Sequence, residues 1–230
     1  MPDDSVPPPT ASATASRLAP RRLLGIGSLV AVALAVAVYG IMGLPGNGGF
    51  GDPASPCAGT GEIVARIKPA IHGEVAALVP ATGPLLLSKL SFRRDDGTPG
   101  TLADWSGKTV LLNLWATWCA PCRAEMPALD RLQAALGGKD FDVVTINVDT
   151  ANAGDKPKTF LADIGVKALG FQSDPSLGVF KALQKIGRSR GLPTTMLIDA
   201  KGCEIGTMYG PAGWDQPDGQ RLIAAALGRT

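Results

Sequence analysis

Two cysteines separated by two residues, Cys119 and Cys122, carry the chemistry most visible in this chain. Thiols at this spacing can close a disulfide and exchange it, with its two electrons, with another cysteine pair. The thiolate is the reacting species, so such a thiol needs surroundings that favour negative charge. Residues 110–115 form an apolar run that reads as a buried strand, and a helical pattern follows the cysteines. Cys119 then falls at or just before a helix N-terminus, where unpaired N–H groups and the helix dipole favour a thiolate. Cys122 falls one turn in, close enough to bond to it. Pro121 suits the first turn, where its missing N–H costs nothing. A structural zinc site is the other common use of such a pair, and it needs two further ligands. The sequence holds four cysteines, no second C-x-x-C and a single histidine, so neither a metal nor a cofactor is expected.

The elements that must position this pair alternate between strand and helix. The 110–115 run is apolar on both faces except for Asn113, which suggests a central strand covered by helices. In the helix after the cysteines, Leu129, Leu132 and Leu136 share a face. Pro127 lies inside it, and Gly137-Gly138 ends it. Residues 143–148 read as a second buried strand. Helices are expected from Asp155-Lys156-Pro157, with Asp155 capping and Phe160, Leu161 and Ile164 inward, and from Asp174-Pro175, with Leu177, Phe180 and Leu183 inward. Residues 194–198 and 203–209 read as strands around the turn 199–202, and residues 215–227 as the last helix. Upstream, Ile63, Ile67, Ile71, Val75 and Leu78 recur at helical spacing, and Pro69 should kink or divide that segment. His72 lies there and is read as a packed or surface residue. Residues 85–92 and 101–105 look like short strands around a turn at 94–97. Together these elements imply an α/β fold.

The first 60 residues have a different character. Residues 1–22 are rich in Pro, Ser, Thr and Ala and cannot bury a core. Residues 23–44 carry no charge and follow Arg21 and Arg22. About 20 such residues span a bilayer, and the arginines place the N-terminus in the cytoplasm. An uncleaved anchor is expected, because the apolar run continues past the small residues at which a signal peptide would be cut. Residues 45–56 form a Gly/Pro-rich linker, and residues 57–230 then lie outside the inner membrane. The net charge of +2 and the absence of a basic-aromatic motif argue against nucleic-acid binding.

The string N-L-W-A-T-W-C-A-P-C-R-A-E-M-P, residues 113–127, resembles the active-site signature of the membrane-anchored bacterial thioredoxins, the TlpA/ResA/cytochrome c maturation family. The likeness covers nearly everything after the hydrophobic segment. It implies a thioredoxin fold with an N-terminal helical extension. Cys119 is then the attacking thiol and Cys122 the resolving one. Trp118, Ala120 and Pro121 flank the sulfur as a contact surface for partners. The resemblance implies a cis peptide at Leu192–Pro193, set against the sulfurs, with the Leu192 backbone free to pair with an extended substrate. It places Glu125 near the cysteines as a group that tunes their protons. Asn113 departs from the thioredoxin pattern, which often has a buried Asp there, and Asn113 cannot titrate. The TlpA-like members also carry a cysteine before the first helix and another in a late hairpin, implying a Cys57–Cys203 bond.

What the resemblance implies about function is a periplasmic, membrane-anchored reductant of protein disulfides, fed by a transmembrane electron donor. Its clients would be the copper-binding subunit of cytochrome oxidase or the copper-delivery protein for that subunit. The alternative client is apocytochrome c before haem attachment, since the motif is common to both branches. A Cu(I)-binding chaperone of the same fold is a further reading, but His72 lies before the C-x-x-C, away from the late position that would serve. A disulfide-forming oxidase usually carries His between the cysteines, where this chain has Ala120-Pro121.

Overall fold

A computed structural model of the protein describes Phe50 and residues 52–229. The segments 1–22 and 23–44, read above as a cytoplasmic N-terminus and a membrane anchor, lie outside the described residues, as does part of the linker. Among the described residues no helix is long and apolar enough to cross a membrane.

The chain enters through helix α1 (Thr60–Ile67) and two 3₁₀ turns (Lys68–Ala70 and Gly73–Val75). Pro69 divides the segment because its ring cannot continue a helical ladder. Strand β1 (Val79–Pro80) leads to a hairpin of β2 (Ser91–Arg93) and β3 (Pro99–Thr101). Most of residues 85–90 is irregular, with one bridge from Leu86 to Cys203. The strand expected at 101–105 is instead a 3₁₀ turn (Leu102–Trp105). Thr101 and Asp104 form a reciprocal capping box there, and polar capping outcompetes extension. Strand β4 (Thr109–Trp115) is buried at every residue. Helix α2 (Ala120–Leu136) follows, then β5 (Phe141–Asn147).

Helix α3 (Lys156–Asp163) begins after Asp155, but the Asp155 side chain makes no capping bond, and Ile164 is exposed rather than inward. A two-residue strand β6 (Gln172–Ser173) was not evident in the sequence, since two residues show no period. Helix α4 (Gly178–Lys185) starts later than Asp174-Pro175 suggested. Leu177 precedes it in the left-handed region at φ 60°, and the Asp174 carboxylate accepts from Ser176 N–H and Val179 N–H. Strands β7 (Thr194–Ile198) and β8 (Glu204–Tyr209) form a hairpin, and helix α5 (Pro217–Ala226) closes the chain.

One eight-stranded sheet runs β1-β8-β7-β4-β5-β6-β2-β3. Strand β4 lies in its middle, parallel to β5 and antiparallel to β7. A strand buried on both faces reads as a continuous apolar run, which is why β4 was legible. Two consequences of register matter for the site. Leu114 lies opposite Thr194, so Pro193 is level with the end of β4 from which the C-x-x-C segment leaves. Val110 lies opposite Ile198, so the β7–β8 turn with Cys203 sits at the other end, roughly 17 Å away at strand rise.

Candidate active site

Cys119 is the N-cap of α2, and its sulfur accepts the Cys122 N–H at 3.3 Å. The two sulfurs are joined in a disulfide with Cα atoms 5.3 Å apart. Cys119 is 6% exposed and Cys122 is fully enclosed, so an incoming thiolate reaches Cys119 first. Once reduced, Cys119 retains the helix N-terminus and a backbone donor, both of which stabilise a thiolate. Ala120 and Pro121 are exposed beside it, and Trp118 stands 70% exposed.

Asp149 holds Thr117, two residues before Cys119. Its carboxylate accepts from Thr117 N–H at 2.8 Å and Thr117 Oγ1 at 3.0 Å, and from Asn147 Nδ2 at 2.8 Å. On the other side stands Leu192–Pro193, a cis peptide. Pro193 carbonyl accepts Gly210 N–H at 3.0 Å, and Thr194 Oγ1 donates to Gly191 carbonyl at 2.7 Å. Arg188 pairs with buried Glu204 at 2.7 Å, which pins the loop before the proline to β8.

Glu125 is 3% exposed, one turn beyond Cys122 on α2. Its Oε1 accepts from Trp214 Nε1 at 2.6 Å and Ala212 N–H at 3.1 Å, and Oε2 accepts from Asn113 Nδ2 at 3.1 Å. Asn113 Nδ2 also donates to Thr195 Oγ1 at 2.9 Å, while Asn113 Oδ1 has no partner. A Cβ at Gly219 would collide with the Trp214 backbone, so only glycine lets α5 pack against the loop that carries two of these donors. Cys57 and Cys203 form a second, buried disulfide, with Cα atoms 5.6 Å apart, at the far end of the sheet. His72 is half exposed and pairs with Asp218, away from either disulfide.

A model of the Redoxin family matches residues 78–223. The chain belongs to the Redoxin family. This Redoxin is 38% identical over 122 residues to the thioredoxin-like protein YneN of Bacillus subtilis, covering 51% of this chain and 68% of that one. It is 31% identical over 127 residues to the thiol-disulfide oxidoreductase ResA of Bacillus thuringiensis, covering 54% and 68%. The crystal structure of a thiol:disulfide interchange protein of the thioredoxin family from Chlorobium tepidum matches at TM-score 0.51 and 26% identity, covering 64% of this chain and 99% of that one. The fold is therefore thioredoxin-like, and the protein is a thiol–disulfide oxidoreductase of the TlpA/ResA type.

Three parts of this Redoxin's site were not anticipated from sequence: Asp149 beneath Thr117, Trp214 and Ala212 on Glu125, and Thr195 on Asn113. All lie on elements distant in sequence from the C-x-x-C, and no local pattern announces them. Trp214 offered one signal, because a buried indole N–H normally finds an acceptor.

Glu125 gives the Redoxin a testable pH response. Burial raises its pKa from 4.5 to about 7, against the lowering effect of the three hydrogen bonds it accepts. An acid whose folded pKa lies above its unfolded value binds its proton more tightly when folded. Its contribution to stability is then full below about pH 4.5 and is lost as pH rises through about 7. The loss expected over that window is about 3 kcal/mol. Denaturant titrations of the wild type and Glu125→Gln from pH 4 to 8.5 measure it as the difference between two curves. Parallel curves would return Glu125 to a purely structural role.

Proposed function

We propose that this protein is a reductant of protein disulfides outside the cytoplasm, tethered to the inner membrane by residues 23–44. The observation that carries the reading is the Cys119–Cys122 pair at a helix N-terminus, beside cis Leu192–Pro193, with a buried carboxylate at Glu125. In the reducing direction, the Cys119 thiolate attacks a client disulfide and forms a mixed disulfide. The Cys122 thiolate then attacks Cys119 sulfur and releases the reduced client. Glu125, with a pKa of about 7, is present in both forms near neutral pH, so its carboxylate takes up the thiol proton and its acid form returns it during this cycle. Trp118, Ala120 and Pro121 form one wall of the client contact, and the Leu192 backbone with Pro193 forms the other. A transmembrane donor restores the dithiol.

The clients proposed are the cysteines of the copper-binding subunit of cytochrome oxidase, or of the protein that delivers its copper, kept reduced so that metal can bind. Support for this branch comes from the second disulfide, Cys57–Cys203, at the positions where the TlpA-like members carry their extra cysteines. The shared W-C-x-P-C-R-x-E motif supports a second reading, reduction of apocytochrome c before haem attachment.

Electron direction is the decisive test. Ala120-Pro121 places no charge between the cysteines to favour the thiolate, and Glu125 above its pKa disfavours it. The potential of Cys119–Cys122 is expected nearer the thioredoxin value, about −270 mV, than the strong-oxidant value, about −120 mV. Equilibration with dithiothreitol buffers measures it. A value close to the oxidant end would overturn the reductant assignment.

A further inference from the structure

Three segments border the reactive pair, and their charge is one-sided. Residues 116–124, 187–193 and 209–213 contain Arg123, Arg188 and Arg190 but no aspartate or glutamate. Behind them three buried carboxylates bond inward, Glu125 to Trp214 and Asn113, Asp149 to Thr117 and Asn147, Glu204 to Thr207 and Arg188, while the exposed Glu74 carboxylate lies against Gly213. Arg188 is neutralised by its pair with Glu204. Arg123 and Arg190 are exposed, and neither forms an ion pair among the described residues.

Each of these two guanidinium groups lies over an aromatic ring. Arg123 is 4.9 Å from the Phe160 centroid, and Arg190 is 4.9 Å from the Tyr209 centroid. Stacking fixes the plane of a guanidinium and leaves its edge donors available to a carboxylate. Arg123 also sits at the end of the first turn of α2, where the helix dipole disfavours a cation and where no acid offsets it. A charge held at such a cost, beside the reacting sulfurs, calls for a partner from outside. Lys181 and Lys185, both exposed on α4, extend the same sign, and residues 175–198 hold no acid at all.

We infer that Arg123 and Arg190 form a basic clamp for client proteins whose reactive cysteines lie in an extended acidic segment. The inference rests on the exchange reaction described above and names the chemistry of its client. One carboxylate flanking the client disulfide reaches Arg123 on the helix side, and another reaches Arg190 on the proline side. The clamp attracts acidic segments and repels basic ones, which raises the association rate for the former. The exchange itself is unchanged. Cys119 bonds to one client sulfur as the other leaves with the electron pair and takes a proton from solvent. Cys122 then displaces the first sulfur, so two electrons pass to the client and the protein is left oxidised.

The test uses three disulfide peptides that differ only in four residues flanking the cysteines: aspartate and glutamate, serine and glutamine, or lysine and arginine. Reduced full-length protein is mixed with each oxidised peptide at 20 mM and 500 mM salt, and the second-order rate is read. The acidic peptide is expected to react about tenfold or more faster than the basic one at low salt, with the ratio shrinking towards unity at high salt. Arg123→Gln with Arg190→Gln should bring the low-salt ratio close to one, and Arg123→Lys with Arg190→Lys should restore most of it. Because the readout is a ratio, a general loss of activity in a variant cancels. Equal rates for the three peptides, or a ratio that survives in the double glutamine variant, would overturn the proposal. The same ratio is read in reverse, from oxidised protein and reduced peptides. A protein that reacted only in that direction would refute the reductant reading, and its ratio would still decide this one.

Discussion

Cys119→Ser is expected to lower disulfide exchange to the uncatalysed background, and Cys122→Ser to leave the first step intact and stop the second. The asymmetry follows from position. Of the pair, Cys119 alone has any exposure, and its sulfur lies against a helix N-terminal N–H. A serine hydroxyl cannot replace the thiolate, since it neither ionises near neutral pH nor bonds to a leaving sulfur. Cys122 is enclosed, so a client reaches it only after Cys119 has brought the mixed disulfide to it. In Cys122→Ser that mixed disulfide has no internal attacker and accumulates. Insulin-reduction assays and non-reducing gels of protein incubated with an oxidised client peptide distinguish the two variants. Exchange by Cys119→Ser at more than a few per cent of the wild-type rate, or a trapped adduct on Cys122, would reverse the assignment of roles.

The sequence revealed the parts of this site that are local. Strand β4, the cysteines and the helix after them lie within one stretch of chain. Their chemistry depends on helix-end polarity and on a continuous apolar run, and both can be read residue by residue. The β7–β8 hairpin was legible because its turn residues fall between two apolar segments. Glu125 was visible as a residue one turn after Cys122, but its burial was not. That burial depends on Trp214 and Ala212 arriving from a loop held by Gly219, and on Asn113 from β4. The misread elements have a common cause. At 101–105, at Asp155 and at Asp174, polar side chains could satisfy the backbone in more than one way: Thr101 with Asp104, and Asp174 with Ser176 and Val179, bond within their own loops, while Asp155 makes no capping bond. Ile164 looked inward on helical spacing alone, but α3 is only eight residues long and ends before the period places it.

Asn113 shows how the network compensates for a residue that cannot titrate. A carboxylate at Glu125 is matched by the Asn113 amide donor, while Asn113 Oδ1 stays without a partner. When Glu125 takes a proton, its Oε2 becomes a donor and meets another donor. Rotation of the Asn113 amide by half a turn lets Oδ1 accept from Glu125 and from the Thr195 hydroxyl, which can act as donor or acceptor, and moves Nδ2 to the buried position where Oδ1 had no partner. The same rotation accommodates the Nε2 of Glu125→Gln, which is why that variant is expected to fold.

Removing the Cys57–Cys203 bond is expected to cost about 5 kcal/mol, a large share of the stability of a domain this size. The two cysteines are 146 residues apart, so the bond closes a loop spanning most of the domain. In the chain-entropy view, the larger the loop, the more freedom the cross-link removes from the unfolded chain. Both sulfurs are buried, and the neighbouring contacts reinforce the same junction. Thr60 Oγ1 donates to Asp199 Oδ2 at 2.6 Å, and Asp199 Oδ1 accepts from Cys203 N–H and Lys201 N–H, each at 2.9 Å. These bonds tie the start of α1 to the β7–β8 turn whether or not the sulfurs are joined, so Cys57→Ser with Cys203→Ser should fold but unfold at lower denaturant. A protein that cycles its own dithiol must keep its structural bond out of that cycle. The register supplies the separation, because Cys203 lies at the end of the sheet opposite Cys119. Mild dithiothreitol should therefore open Cys119–Cys122 and leave Cys57–Cys203 closed, as peptide mapping after alkylation would record. Concurrent opening of both pairs, or a double serine variant as stable as the wild type, would show that the second disulfide does not serve as the domain's clasp.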